Sequence, residues 1–78
     1  MNKLSKNEFY NKELEKIKIN ISKKNYSDAI KKLKKIIKTF PDKVFLYNFL
    51  GLSYKLSKNF ENAEKVYNKA LKIKPNDI

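Results

Sequence analysis

The sequence predicts an all-α protein of four antiparallel helices, paired as two stacked helix-turn-helix units. Three observations predict it. Apolar residues recur at the i, i+3, i+4, i+7 spacing of a helical face, and no segment alternates as a strand does. Capping and turn residues interrupt that spacing near 23–25, 40–42 and 57–59. Sliding the chain by 34 residues aligns its middle with its C-terminal part, so the helices come as a repeated pair.

Each element follows from local chemistry. Ser5 and Glu8 have the spacing of a capping box, in which side chain and backbone satisfy each other's open donors, and start helix one near residue 6. Asn7 is an alternative start, and the helix is expected to reach about residue 23. Helix two spans about 26–39, with Ile30, Leu33, Ile37 and Phe40 on its apolar side and Lys31, Lys34, Lys35 and Lys38 opposite. Helix three spans about 43–56, with Asp42 expected as its N-cap after Pro41. Its stripe is Tyr47, Leu50 and Tyr54; Gly51 on the same face lets a backbone or ring approach, at a cost of roughly 1 kcal/mol in helix propensity. After the turn Ser57-Lys58-Asn59, with Asn59 as N-cap, helix four spans about 60–73 and Pro75 ends it. Its stripe is Ala63, Tyr67, Ala70 and Leu71, the two alanines being small sites that match Gly51. Short turns make successive helices antiparallel neighbours.

The repeat is better preserved at one end than at the other. Lys24, Asn25, Ala29, Lys31, Lys35, Lys38 and Pro41 recur as Lys58, Asn59, Ala63, Lys65, Lys69, Lys72 and Pro75. The same offset sets Glu13, Lys16 and Asn20 against Tyr47, Leu50 and Tyr54, which would turn polar residues toward the core. An offset of 33 instead matches Leu14, Ile17 and Ile21 to that stripe and implies a first turn one residue shorter. Lys18 then stands in the place of Gly51, with its stem passing the neighbouring helix and its ammonium in water.

The order Tyr47, Leu50-Gly51, Tyr54, Ala63, Tyr67, Ala70 and Pro75 resembles the tetratricopeptide repeat, with Tyr in place of Trp and Tyr67 in place of Phe. Residues 44–77 fit well, and the first copy, about 10–43, is degenerate. The resemblance implies a fragment of an α-α superhelix: one domain over 1–78, with repeat one at about 7–41 and repeat two at about 42–75. It also implies a non-enzymatic protein-protein interaction module whose groove is formed by the first helix of each pair. In helix three that groove side is Phe45, Asn48, Leu52 and Lys55; helix one adds Asn11, Glu15 and Ile19, or Leu14 and Lys18 in the 34-residue register. Chaperone-adaptor members of the family hold a terminal carboxylate with Lys and Asn at places that fall here on Leu14 and Lys18, or Glu15 and Ile19, and on Phe49. None carries the required residue, so no carboxylate clamp is expected, although a Lys-rich groove favours an acidic peptide.

Arrays of this kind normally need about three units, because each leaves an apolar face for the next. After Pro75-Asn76-Asp77 only Ile78 follows, so Val66, Tyr67, Leu71 and Ile73 are expected to be partly uncovered. Either helix four tucks them inward, or a partner, a second copy or a continuation covers them.

Composition narrows the chemistry. Without Cys or His the chain lacks the usual thiol nucleophile, general base and metal ligands, so no catalytic residue, metal site or cofactor is expected. One glycine cannot build a phosphate cradle, and of the eight acidic residues the closest pairs, Glu13 with Glu15 and Glu61 with Glu64, lie on Lys-rich helices and read as solvated ion pairs rather than a carboxylate dyad. The net charge of +11 with ten aromatic residues raises a nucleic-acid or polyanion binder as the alternative function. Against it, all nineteen basic residues are Lys, without the forked donor of Arg, and the aromatics sit at core spacing. Lys, Asn and Ile are over-used together, as an AT-rich coding sequence produces. Helix two taken alone has the basic amphipathic pattern of a membrane-surface segment, but its neighbours need its apolar side, so no membrane role is expected. A polar start without a signal-peptide core, and the lack of a long apolar run, predict a cytoplasmic protein.

Overall fold

A computed structural model describes residues 5–73; the expected helix stop at Pro75 and the punctuation at 75–77 lie outside the described residues. Four helices account for almost all of the described chain: α1 Lys6–Ser22, α2 Tyr26–Thr39, α3 Val44–Leu56 and α4 Phe60–Ile73. They form two stacked helix-turn-helix pairs, each helix packing chiefly on its sequence neighbour. The capping box that opens α1 is complete. The Glu8 amide donates to Ser5 Oγ and the Ser5 amide to Glu8 Oε1, each at 3.1 Å. These bonds, the Ser5 amide foremost, hold the Glu8 carboxyl below its ordinary value. Asn59 caps α4 through a longer bond, its side-chain oxygen accepting the Asn62 amide at 3.4 Å.

The turns within the two pairs are the same turn. Lys24 and Lys58 both have positive φ, 64° and 69°. The Asn25 amide donates to the Asn20 carbonyl (2.7 Å) and the Asn59 amide to the Tyr54 carbonyl (2.8 Å). Inside these, the Lys24 amide donates to Ile21 (3.0 Å) and that of Lys58 to Lys55 (2.9 Å). This nested pair of bonds around a left-handed residue is the Schellman motif, which satisfies carbonyls that the helix end leaves open. A lysine fills the left-handed place that usually belongs to glycine.

Identical turns correct the expected first turn, which is not one residue shorter. The 34-residue offset therefore runs unbroken into α1, and Ile17, not Lys18, stands in the place of Gly51. Ile17 and Leu33 are both fully buried in one apolar cluster where the second pair has Gly51 and Tyr67. The volume is divided differently: a branched residue with a mid-sized one replaces nothing with a ring. Lys18 lies exposed on α1, with its ammonium 3.9 Å from Glu15. The polar match that argued against this register is partly real, since the amide nitrogen of Asn20, in the place of Tyr54, is buried without a partner among the described residues.

The connection between α2 and α3 corrects a second expectation. Pro41 and Asp42 are the central residues of a turn closed by the Lys43 amide on the Phe40 carbonyl (3.3 Å), the positions these residue types favour. Lys43, not Asp42, is therefore the N-cap of α3, and it makes no side-chain capping bond. The Tyr47 hydroxyl donates to the Pro41 carbonyl at 3.0 Å and fastens the turn to α3. Phe40 stacks on Phe9 (6.4 Å between centroids) and meets Tyr10 edge-on (5.2 Å), which ties the start of α1 to the same turn.

Candidate functional site

The best-packed helix carries the candidate surface. On α3, Leu46, Tyr47, Leu50, Gly51, Ser53 and Tyr54 are buried, against Ile17 alone on α1. Ser53 is accommodated there because its hydroxyl donates to the Phe49 carbonyl at 2.9 Å. With these residues turned inward, helical geometry turns Phe45, Asn48 and Lys55 out to solvent and leaves Phe49 and Leu52 half-buried.

Tyr67 of α4 completes the surface, and Gly51 explains how. A Cβ built on Gly51 would stand 2.6 Å from Tyr67 Cε1 and 2.8 Å from Cζ, so the ring occupies the space that any side chain would fill. The close approach carries the ring across to the edge of α3. There it walls an apolar hollow of about 320 Å³ with Phe45, Asn48, Phe49 and Leu52. Of the expected groove residues, the hollow unites Phe45, Asn48 and Leu52. Lys55 and Lys18 are exposed but do not line it. Phe49 and Tyr67 belong to it without having been assigned there. Phe49 falls between the exposed and buried stripes, and Tyr67 is joined to the hollow only through the missing side chain of Gly51.

The expected assembly face is divided. Val66, Tyr67 and Ile73 are half-buried, whereas Leu71 is 62% exposed. Leu71 thus leaves the expected core stripe of α4, which is carried by Ala63 and Ala70. Its counterpart in α2, Ile37, is half-buried against the core. The difference has a simple cause: α3 follows α2 and packs on it, and no described helix follows α4.

A second and larger concavity, of about 760 Å³, lies between α1 and α2. Phe9 and Ile36 give it an apolar base, and Lys31, Lys32, Lys35 and Lys38 line it with Glu13 and Asp28. Sequence reasoning placed three of these lysines on one side of helix two but did not bring Phe9 to them, because that requires the α1–α2 packing. Among the described residues, no helix is long and apolar enough to cross a membrane, and no cluster of acidic side chains is placed to hold a metal ion.

Comparison with known proteins agrees with the helical pairing. Residues 44–77 match the family model of the tetratricopeptide repeat. No solved structure matches the chain. The matched segment spans α3 and α4, with Gly51 against Tyr67 and with buried Ala63 and Ala70 at the family's small positions. Helices α3 and α4 thus form a tetratricopeptide-type repeat.

Proposed function

We propose that the chain is a non-enzymatic protein-interaction module that receives an apolar side chain of a partner peptide or helix in the hollow of Phe45, Asn48, Phe49, Leu52 and Tyr67. The observation that carries this reading is the hollow itself, apolar around a single polar residue, with Phe45 65% exposed at its edge. A large ring left in water beside a preformed depression gains by being covered. Asn48 supplies a side-chain amide, both donor and acceptor, that would orient a partner backbone. Lys55 and Lys18, exposed on the first helices of the two pairs, favour acidic residues flanking the inserted side chain. In this reading the two pairs act as one domain, with repeat one at about 7–41 and repeat two at about 42–75.

A second contact is favoured by the contrast between Ile37 and Leu71. The end of α4, with Val66, Tyr67, Leu71 and Ile73, is a stacking face for a second copy or a further helical unit. Sedimentation of the chain and of Leu71→Lys tests it: association in the first and its loss in the second are expected, and a monomer at all concentrations sinks it.

Capture of proteins from the source cell, followed by reconstitution with the purified partner, tests the main reading. A partner held by the native chain and lost by Phe45→Ala or Leu52→Ala, with helical content unchanged, is expected. Capture indifferent to both substitutions refutes it. So does retention on nucleic acid alone with a steep fall in salt, the mark of a phosphate-binding surface.

A further inference from the structure

The groove between α1 and α2 is built from residues that the α3 hollow does not use. We propose that it docks an acidic amphipathic helix of another protein, with carboxylates toward the lysines of α2 and an apolar residue on Phe9 and Ile36. Lys31, Lys35 and Lys38 are exposed and follow one another at i, i+4, i+7, a row of about 10 Å at 1.5 Å per residue. Carboxylates at the same spacing on one face of a partner helix meet that row in register. The base is apolar: Ile36, 3% exposed, closes its floor, and Phe9, 39% exposed, gives a partner's hydrophobic edge the surface that solvent now covers.

The charges in the groove are unevenly satisfied. Its acids are already engaged: Glu13 accepts from Lys16 Nζ at 3.3 Å, and Asp28 lies in the first turn of α2, where the helix dipole favours a negative charge. No carboxylate pairs with Lys31, Lys32, Lys35 or Lys38 among the described residues. What is missing from the groove is therefore negative charge. A second copy does not fit, because nineteen lysines against eight acids would bring like charge to like.

Lysines alone would not single out this place. Lys31, Lys35 and Lys38 recur on α4 as Lys65, Lys69 and Lys72, all exposed. The apolar base does not recur: by the same offset, Phe9 becomes Lys43 and Ile36 becomes Ala70. The first helical pair thus combines the basic row with an apolar base, whereas the second has the row alone. This asymmetry favours an amphipathic protein segment over a chain of phosphates, which would use both rows equally.

The test uses the full chain and a synthetic helical peptide bearing Glu at i, i+4, i+7 beside a Leu edge, with fluorescence anisotropy at low and moderate salt. The peptide is expected to bind and to weaken at least about tenfold when Lys31, Lys35 and Lys38 are replaced together by Gln, since three partly exposed ion pairs are lost. Its Glu→Gln version is expected to weaken similarly. Lys65, Lys69 and Lys72 replaced together by Gln removes the same net charge and is expected to change binding less than about twofold, as is Phe45→Ala in the α3 hollow. Failure of the peptide to bind overturns the proposal, as does equal weakening by the two triple substitutions. A single-stranded oligonucleotide that binds as tightly and displaces the peptide also overturns it, because the groove would then be a general anion surface.

Discussion

Gly51 makes the sharpest quantitative test of the packing. In Gly51→Ala the new methyl would lie 2.6 Å, 2.8 Å and 2.9 Å from three atoms of the Tyr67 ring. Carbon atoms rest at about 3.5 Å or more, so the ring must withdraw by about 1 Å. Overpacking of this kind costs about 1–3 kcal/mol, while replacing a mid-helix glycine by alanine returns about 1 kcal/mol of propensity. The net expectation is a loss of about 1 kcal/mol. In a Tyr67→Leu background the obstacle is gone, as it is in the first pair, where Ile17 and Leu33 share the corresponding space. There the same Gly51→Ala change should gain about 1 kcal/mol, so the cycle carries about 2 kcal/mol of coupling. Urea unfolding of the four proteins, followed by helical circular dichroism, measures all the terms. Effects of the same sign in both backgrounds, or coupling below about 0.5 kcal/mol, would refute the account of the hollow as a product of Gly51.

Three further outcomes follow from features of the fold. Lys24→Gly and Lys58→Gly should each stabilise by about 0.5–1 kcal/mol, because glycine occupies the left-handed turn position without Cβ strain; a lower thermal midpoint in either contradicts the Schellman geometry. Asn20→Leu should raise stability by about 1–2 kcal/mol by removing a buried amide nitrogen that lacks a partner, and unchanged urea unfolding would mean that the nitrogen is satisfied. Ser5→Ala should cost about 1 kcal/mol of α1 stability, read as faster amide exchange in its first turns. Glu8 adds a pH signature. Its folded value lies below the ordinary 4.5, so its contribution is complete above that pH and fades as pH falls through the depressed value; Glu8→Gln should abolish this acid fraying, whereas Ser5→Ala, which keeps the amide bond, should only lessen it.

Most of the fold was legible because helix boundaries are local chemistry. The Ser5-Glu8 box, the Asn59 cap and the punctuation between helices place the starts of all four helices and the ends of α1, α2 and α3 to within about a residue. Asp42 was misread as a cap because a turn starting at Pro41 competes for it, and only the bond from Lys43 to Phe40 decides between them. The register of α1 was misread for a different reason. Matching Leu14, Ile17 and Ile21 to Tyr47, Leu50 and Tyr54 assumes that like residues occupy like places, whereas a close-packed core conserves volume across partners. The exchange of Gly51 with Tyr67 for Ile17 with Leu33 is invisible one position at a time. The candidate site divides along the same line. Phe45, Asn48 and Leu52 lie on one helix and could be grouped from helical spacing, while Tyr67 and the pairing of Phe9 with the lysines of α2 needed helix-helix packing.

The neighbour-to-neighbour packing of the four helices also governs how the chain reaches its fold. Every substantial helix-helix contact among the described residues joins sequence neighbours, so only short loops must close before packing begins and little loop-closure entropy is lost. Such topologies fold in microseconds to milliseconds. With six buried residues, α3 sits at the middle of the series and is the natural seed, with α2 and α4 condensing on either side. Helix α1, which contributes one fully buried side chain and leans mainly on α2, arrives last and leaves first. The lysine-lined groove exists only while α1 is docked, so a ligand held there would slow the first step of unfolding, whereas a ligand on α3 would act on the last.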